Sequence, residues 1–146
     1  MNVLVVGSGI IGLSIAFELA LAGHRVKVIT RNYEEGASWV AGGMLAPYSE
    51  GLEGDLLTFS TESLSLYPEF LDRLGEVSKL SVSVRYGILR LAVSEEEYDK
   101  IAKKINNLKT EVEKLDEAEL YRREPLLAGV FAGGFFFAQE WNVDTE

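Results

Sequence analysis

The chain has 146 residues, an apolar content of 47%, no cysteine and one histidine. This length and apolar content predict a folded protein of single-domain size with a packed core. The absence of cysteine excludes disulfides, thiolate nucleophiles and cysteine-based metal sites, and a single histidine excludes histidine clusters. The formal net charge of −9 argues against a nucleic-acid or anionic-membrane partner, because such partners call for a basic surface patch.

The sequence contains no run of about 18 apolar residues, and its first apolar stretch has no basic leader. We therefore expect no membrane span, no signal peptide and a cytoplasmic location. No pair of carboxylates, metal-ligand cluster or nucleophile with an adjacent base stands out. The sequence thus predicts no metal site and leaves the catalytic residues unassigned.

Three glycines lie between a predicted strand at residues 3–6 and a predicted helix at residues 13–21. Gly7, Gly9 and Gly12 have the spacing G-x-G-x-x-G, which carries a mechanism only in this strand-to-helix context. The first glycine permits the tight turn, the second lets the backbone approach phosphate, and the third lets the helix pack closely on the sheet. The pattern predicts a dinucleotide whose diphosphate rests on the helix N-terminus.

A second strand completes this unit. Gly23 ends the predicted helix, and residues 25–29 alternate between polar and β-branched side chains. A right-handed crossover makes the two strands parallel neighbours, so the ligand crevice is expected at their carboxyl ends, near Gly7–Ile11 and Thr30–Arg31. An ordinary βαβ turn that holds no ligand is the alternative.

The rest of the chain predicts a mixed segment. Residues 31–55 are too rich in small residues for a regular core element. The predicted elements that follow are a helix at 55–74 with a kink or a new start at Pro68, a strand at 82–93, a helix that begins at the capping box Ser94–Glu97, a strand at 112–115, a helix at 116–123 and a strand at 130–138. The predicted fold class is α/β, a Rossmann-like βαβ unit followed by an α+β segment, with segments 1–79 and 80–146.

Three blocks of residues resemble the family of FAD-dependent D-amino-acid oxidases, and most closely its glycine oxidase branch, which acts in thiamine biosynthesis. They are the fingerprint Gly7–Gly12, the stretch Gly36–Ser38 with Ala41–Pro47, and the pair Tyr86–Ala92 and Gly133–Asp144. The resemblance covers the whole chain but only the N-terminal portion of such an oxidase. It implies FAD as cofactor, a Rossmann-like FAD-binding domain in residues 1–79 and the start of a substrate domain in residues 80–146.

The resemblance also implies a role for individual positions. Ile10, Ile11, Ala37 and Ser38 match residues that meet the diphosphate, and Thr30 and Arg31 match the pair that faces the adenosine ribose. Gly42, Gly43 and Met44 match the stretch whose backbone lies against the isoalloxazine ring. The implied reaction is hydride transfer from the amine carbon of a small amino acid, such as glycine or a D-amino acid, to flavin N5.

Thr30 departs from the family pattern, which usually has an acidic residue at this position. An acid provides charge-assisted acceptors for the ribose hydroxyls, and a threonine hydroxyl provides less. Arg31 beside it leaves open a weaker FAD site or a phosphorylated nucleotide such as NADP. FAD is favoured because the Gly42–Pro47 loop has no role in a plain NAD(P) domain.

The family's substrate clamp lies beyond Glu146, so we expect little catalysis from these residues alone. A two-stranded parallel sheet leaves apolar surface bare. We therefore expect that another copy, a second chain or a further C-terminal portion completes the fold. The alternative function is a non-catalytic remnant that binds a nucleotide or a subunit.

Overall fold

A computed structural model describes residues 1–108 and 110–144. These residues divide into two compact units, residues 1–42 and residues 43–144. The first unit contains β1 (Asn2–Val6), α1 (Ile10–Leu21), β2 (Arg25–Ile29) and a 3₁₀ turn (Ala37–Trp39). The second contains β3 (Met44–Leu45), α2 (Gly54–Ser78), β4 (Val84–Ala92), α3 (Glu95–Ile105), β5 (Glu113–Asp116), α4 (Glu117–Arg123) and β6 (Gly133–Val143).

The α/β fold class and the βαβ unit at the start of the chain are confirmed. β1 and β2 pair in parallel, with Asn2 opposite Arg25 and Val6 opposite Ile29. Within residues 2–29, all of which the structure describes, Ala16 is the only buried side chain. Large apolar side chains on β1 and α1 are exposed, among them Val6 at 78% and Ile15 at 49%. This unit therefore has apolar surface on both its sheet and its helix.

The second unit is built around one long antiparallel strand, β6. β4 pairs with one edge of β6, while β3 and β5 pair with different parts of its other edge. α3 lies against this sheet, because Ile101 and Ile105 pack with Ala92, Phe135 and Phe137 in one buried cluster. Alternating apolar side chains of β6 thus supply much of the core of this unit.

Several predicted elements have different bounds in the structure. α2 runs unbroken from Gly54 to Ser78, so a second helix does not begin at Pro68. Pro68 has no N–H to donate to the helical ladder, yet it lies inside this single helix of 25 residues. β6 begins at Gly133 rather than residue 130 and continues to Val143.

The two compact units do not coincide with segments 1–79 and 80–146, since α2 belongs to the second unit. Those segments describe the domains expected of a complete oxidase, and they stay a prediction. Among the helices of residues 1–108 and 110–144, none combines the length and the apolar character that crossing a bilayer requires. The cytoplasmic location stays a prediction.

Candidate functional site

The predicted diphosphate site is the turn between β1 and α1. The backbone N–H of Gly7 donates to the carbonyl of Ile29 at 2.8 Å, which joins the end of β1 to the end of β2. Gly9 is the N-cap of α1 and has no side chain with which to cap the helix, and the first turn contains no acidic residue. The first N–H groups of a helix have no partner inside it. The positive end of the helix dipole therefore lies beside exposed residues, with Ile10 53% and Ile11 75% exposed.

Two glycines of this turn are required by its geometry. Gly7 has a φ of +106°, in the range that favours glycine. A Cβ on Gly12 would lie 2.4 Å from the carbonyl oxygen of Gly7, so any larger residue would force α1 away from the turn. Gly9 is close to Ser38, whose Oγ would be 3.3 Å from an added Cβ. Glycine at these positions thus allows the turn after β1 and the close packing of α1 and Ser38 against it.

Ser38 joins the 3₁₀ turn to the start of α1. Its Oγ accepts a hydrogen bond from the backbone N–H of Ile10 at 2.9 Å. A serine hydroxyl has two acceptor lone pairs and one proton to donate. Because Ile10 uses only an acceptor position, the hydroxyl proton remains available for a ligand oxygen. The structure therefore brings together Ser38 and the glycine turn, which lie 28 residues apart in sequence.

Thr30 and Arg31 directly follow β2, at the end of the two-stranded sheet where the glycine turn follows β1. The Thr30 hydroxyl donates weakly to the carbonyl of Asn32 at 3.5 Å. The Arg31 guanidinium forms an ion pair with Glu35 at 2.6 Å, and its side chain is 90% exposed. A hydrogen bond from Arg31, with a smaller contribution from Asn32, holds the pKa of the Glu35 carboxyl below its ordinary value. The charge of Arg31 is thus partly balanced, a feature that the sequence did not reveal.

The residues predicted to contact the ring follow one another in the chain, with Gly42 at the end of the first unit and Gly43 and Met44 at the start of the second. A Cβ on Gly42 would meet no atom within 4 Å, so its backbone has open space beside it. Gly43 has a φ of +69°, and its carbonyl accepts a hydrogen bond from the N–H of Val143 at 2.9 Å. Met44 is 57% exposed although β3 pairs it with Asn142 of β6. β6 therefore fixes the backbone at Gly43 and Met44 and leaves the Met44 side chain open.

A buried carboxylate supports the turn that follows β3, which we call the 46–51 turn after its residues. Glu140 is fully buried, and its carboxylate accepts hydrogen bonds from the backbone N–H of Tyr48 at 2.5 Å and of Ser49 at 3.1 Å. Burial raises the pKa of the Glu140 carboxyl, although these hydrogen bonds oppose the shift. Sequence reasoning missed Glu140, because its partners lie more than 90 residues away.

The donors of the first unit suit an anionic ligand with a phosphate chain. They comprise the N-terminus of α1, whose first turn has no acidic residue, and the hydroxyl of Ser38, beside a turn whose conformation and close packing require glycine at positions 7 and 12. These residues fit the diphosphate of a dinucleotide. In the described part of the chain, no three acidic or histidine side chains come together as a metal site would require.

Comparisons with known proteins identify the family. The model of the DAO family, described as FAD dependent oxidoreductase, matches residues 2–146. The chain is 29% identical to the bifunctional protein ThiO/ThiG of Trichormus variabilis, over 99% of the chain and 22% of that protein. It is 32% identical to the glycine oxidase of Geobacillus kaustophilus, over 99% of the chain and 40% of that protein.

The fold leads to the same group of proteins. The structure superposes on the crystal structure of glycine oxidase from Geobacillus kaustophilus with a TM-score of 0.86 and 31% identity, over 96% of this chain and 40% of that one. The chain thus spans between about a fifth and two-fifths of the length of these relatives. FAD is the cofactor of the matching family, as the resemblance implied. The chain belongs to the DAO family of FAD-dependent oxidoreductases.

Proposed function

We propose that this chain forms the first part of the FAD site of an oxidase that acts on the CH–NH₂ group of a small amino acid, such as glycine or a D-amino acid. In this proposal, residues 1–79 begin the cofactor-binding domain and residues 80–146 begin the substrate-binding domain. The relatives named glycine oxidase and ThiO support the choice of substrate class.

The observation that carries the proposal is the hydrogen bond between Ser38 and Ile10 beside the glycine turn. This bond joins two of the three blocks of the family resemblance into one cradle with an exposed helix end. Gly12, where a Cβ would lie 2.4 Å from the carbonyl oxygen of Gly7, keeps α1 packed against this turn, and no acidic residue lies in the first turn of the helix. The geometry thus supports a diphosphate ligand.

Each group of residues has its own task in this proposal. The backbone of Gly7, Gly9, Ile10, Ile11 and Gly12 holds the diphosphate together with Ala37 and Ser38. Thr30 and Arg31 face the adenosine ribose, and the backbone of Gly42, Gly43 and Met44 lies against the ring. Backbone N–H groups at the ring stabilise negative charge, which is the usual contribution of a protein to flavin chemistry.

The cofactor, when bound, supplies a hydride acceptor at N5. We assign no catalytic side chain to residues 1–146. Orientation of the substrate supplies a large part of the rate expected for such a step.

An absorbance spectrum of the purified protein, taken with and without added FAD, tests the proposal. We expect flavin bands that remain with the protein through gel filtration, and native mass spectrometry should give the protein mass plus one FAD per site. A protein that retains no flavin under any condition would overturn the proposal. The same measurements with added NADP serve as the comparison. If the site binds a phosphorylated nucleotide, the protein should retain NADP and not FAD.

The exposed apolar residues of the first unit favour a second candidate, a module that binds another polypeptide without catalysis. Leu4 is 58% exposed and Val6 is 78% exposed on β1. Contiguous exposed apolar surface often marks an interaction site. This candidate predicts colourless protein that associates tightly with a second polypeptide, so the spectrum and the native mass together separate the two functions.

A further inference from the structure

Glu140 lies in an irregular part of β6 that turns its side chain inward. Before this point Phe135 and Phe137 are buried, and Phe136 between them is half-buried. The pairing with β4 then shifts between Tyr86 and Ile88, so β6 has extra residues there. Ala138 and Gln139 are both exposed, whereas Glu140 and Trp141 are both buried. Such bulges commonly redirect a side chain, and this one directs a carboxylate into the protein.

Gly87 makes the irregularity possible. It lies opposite the extra residues of β6 and has a φ of +90°. A Cβ at this position would lie 2.4 Å from the ring of Phe136. A larger residue would therefore disturb the pairing of β4 and β6 at this point. The bulge in β6 and the glycine opposite it in β4 thus accompany the inward orientation of the Glu140 side chain.

The Glu140 carboxylate binds the backbone of the 46–51 turn. It accepts from the N–H of Tyr48 at 2.5 Å, and the N–H of Ser49 lies 3.1 Å from each of its two oxygens. On the other side of the same residue, the guanidinium of Arg90 donates to the carbonyl of Ser49. The Ser49 backbone is therefore held by side chains from both β4 and β6.

A buried carboxylate is a costly way to close a turn. Burial disfavours its charged form, and an apolar residue of similar size often serves stability as well or better. The gain here is the position of a backbone segment. β3 has only two residues paired with β6, Met44 opposite Asn142 and Leu45 opposite Trp141. The Glu140 bonds hold the chain again directly after this short strand.

We propose that Glu140 is a positioning residue of the cofactor site, which fixes the Gly43–Met44 backbone through its bonds to Tyr48 and Ser49. This inference rests on the proposed function, in which Gly43 and Met44 contact the isoalloxazine ring. Glu140 acts through the 46–51 turn and needs no contact with the cofactor. Its loss should therefore change the surroundings of the ring more than those of the diphosphate.

The test compares the variants Glu140→Ala and Glu140→Gln with two control variants and with the unaltered protein, each titrated with FAD. Ile105→Val removes one methyl group from the core, where Ile105 is 8% exposed, and controls for a general loss of stability. Ser38→Ala weakens the diphosphate end of the site and controls for a loss of affinity alone. The measurements are the FAD dissociation constant, the thermal midpoint without FAD, and the absorbance and fluorescence spectra of the bound flavin.

We expect Glu140→Ala to weaken FAD binding about tenfold. The variant removes the hydrogen bonds from the 46–51 turn to the charged carboxylate, so the Gly43–Met44 backbone is no longer held in place for the ring. Glu140→Gln keeps one acceptor oxygen and should show a smaller loss. Both variants should shift the spectrum of the bound flavin, whereas Ile105→Val and Ser38→Ala should leave that spectrum unchanged. If Glu140→Ala does not fold, Glu140→Gln decides by the same comparison.

Two results have distinct meanings. If the unaltered protein binds FAD and the Glu140 variants match Ile105→Val in affinity and spectrum at equal loss of stability, Glu140 is only structural and the inference is wrong. If the unaltered protein binds no FAD, the proposed function itself fails, and the inference fails with it.

Discussion

Ser38 Oγ accepts a hydrogen bond from the backbone N–H of Ile10 at 2.9 Å, so the 3₁₀ turn and the start of α1 form one surface. The N–H occupies an acceptor position of the hydroxyl, so this bond does not use the hydroxyl proton. One side chain thus orders the loop and keeps a donor for the ligand. Both tasks depend on the hydroxyl and on nothing else in the serine side chain.

Ser38→Ala should therefore weaken FAD binding about tenfold through the loss of one hydrogen bond to a charged phosphate. Titration of the protein with FAD, followed by the quenching of flavin fluorescence, measures this change. Ser65→Ala is a matched control, because the Ser65 hydroxyl donates to the carbonyl of Glu62 within α2, away from the proposed cofactor site. Equal affinities of the two variants would contradict the role of Ser38.

Gly12→Ala should abolish FAD binding and destabilise the first unit. Its Cβ would lie 2.4 Å from the carbonyl oxygen of Gly7, and backbone cannot move aside as a flexible side chain can. Gly36→Ala is the control, since its Cβ would be in ordinary contact, at 3.5 Å, with the carbonyl oxygen of Tyr33, and its φ of −70° suits alanine. Circular dichroism and FAD titration should separate the two variants. Normal FAD affinity in Gly12→Ala would contradict the geometry of the cradle.

Thr30→Asp should raise the affinity for FAD severalfold, because a carboxylate accepts charge-assisted hydrogen bonds from ribose hydroxyls. The same change should lower any affinity for NADP through repulsion of the 2′-phosphate. Thr30→Asn has similar size without the charge and should have a smaller effect. Isothermal titration with each nucleotide gives both constants. A gain in NADP affinity on Thr30→Asp would show that the ribose does not lie at this position.

Glu140→Gln should change how stability depends on pH. Burial raises the pKa of the Glu140 carboxyl above 4.5, with Glu50 acting in the same direction and hydrogen bonds from the Ser49 side chain and from the Tyr48 and Ser49 backbone opposing the shift. The carboxyl then contributes stability below pH 4.5 that is lost as the pH rises through the higher folded pKa. Glutamine does not titrate, so the variant avoids this loss.

Thermal midpoints of the two proteins across this range should therefore shift in favour of Glu140→Gln as the pH rises above 4.5. The ion-paired Glu119 should show the opposite dependence of stability on pH. A hydrogen bond from Arg122, with a smaller contribution from Arg123, lowers its pKa to about 2. Its contribution is present above pH 4.5 and is lost only as the pH falls toward 2. A midpoint difference for Glu140→Gln that stays constant with pH would contradict the burial of a titrating carboxyl.

Local patterns were enough to predict the βαβ unit and the start of α3. The capping box is present as a pair of bonds, in which Ser94 Oγ accepts from the N–H of Glu97 at 3.2 Å and the Glu97 carboxylate accepts from the N–H of Val93 at 2.9 Å. Both signals lie within a few residues of the structure that they specify. The same is true of Gly12, since the atoms nearest to a Cβ at this position belong to Gly7 and Val5.

Long-range contacts were beyond the reach of the sequence. β3 has two residues and exists because β6 pairs with it, so no local periodicity reveals it. Glu140 lies beyond the strand predicted at residues 130–138, and no local pattern indicates the bulge opposite Gly87 that accompanies its burial. The pairing of Arg31 with Glu35 also depends on a loop conformation that the sequence does not specify.

The central position of β6 has a consequence for the way in which the second unit opens. Its backbone amides are bonded to β4 along one edge and to β3 and β5 along the other, while α2 has no buried side chain. Local unfolding starts where few apolar contacts oppose it and reaches doubly paired strands last. Amide hydrogen exchange should accordingly be fastest in α2 and slowest in the β6 segment from Gly133 to Phe136, which would make that strand the final element to lose its order.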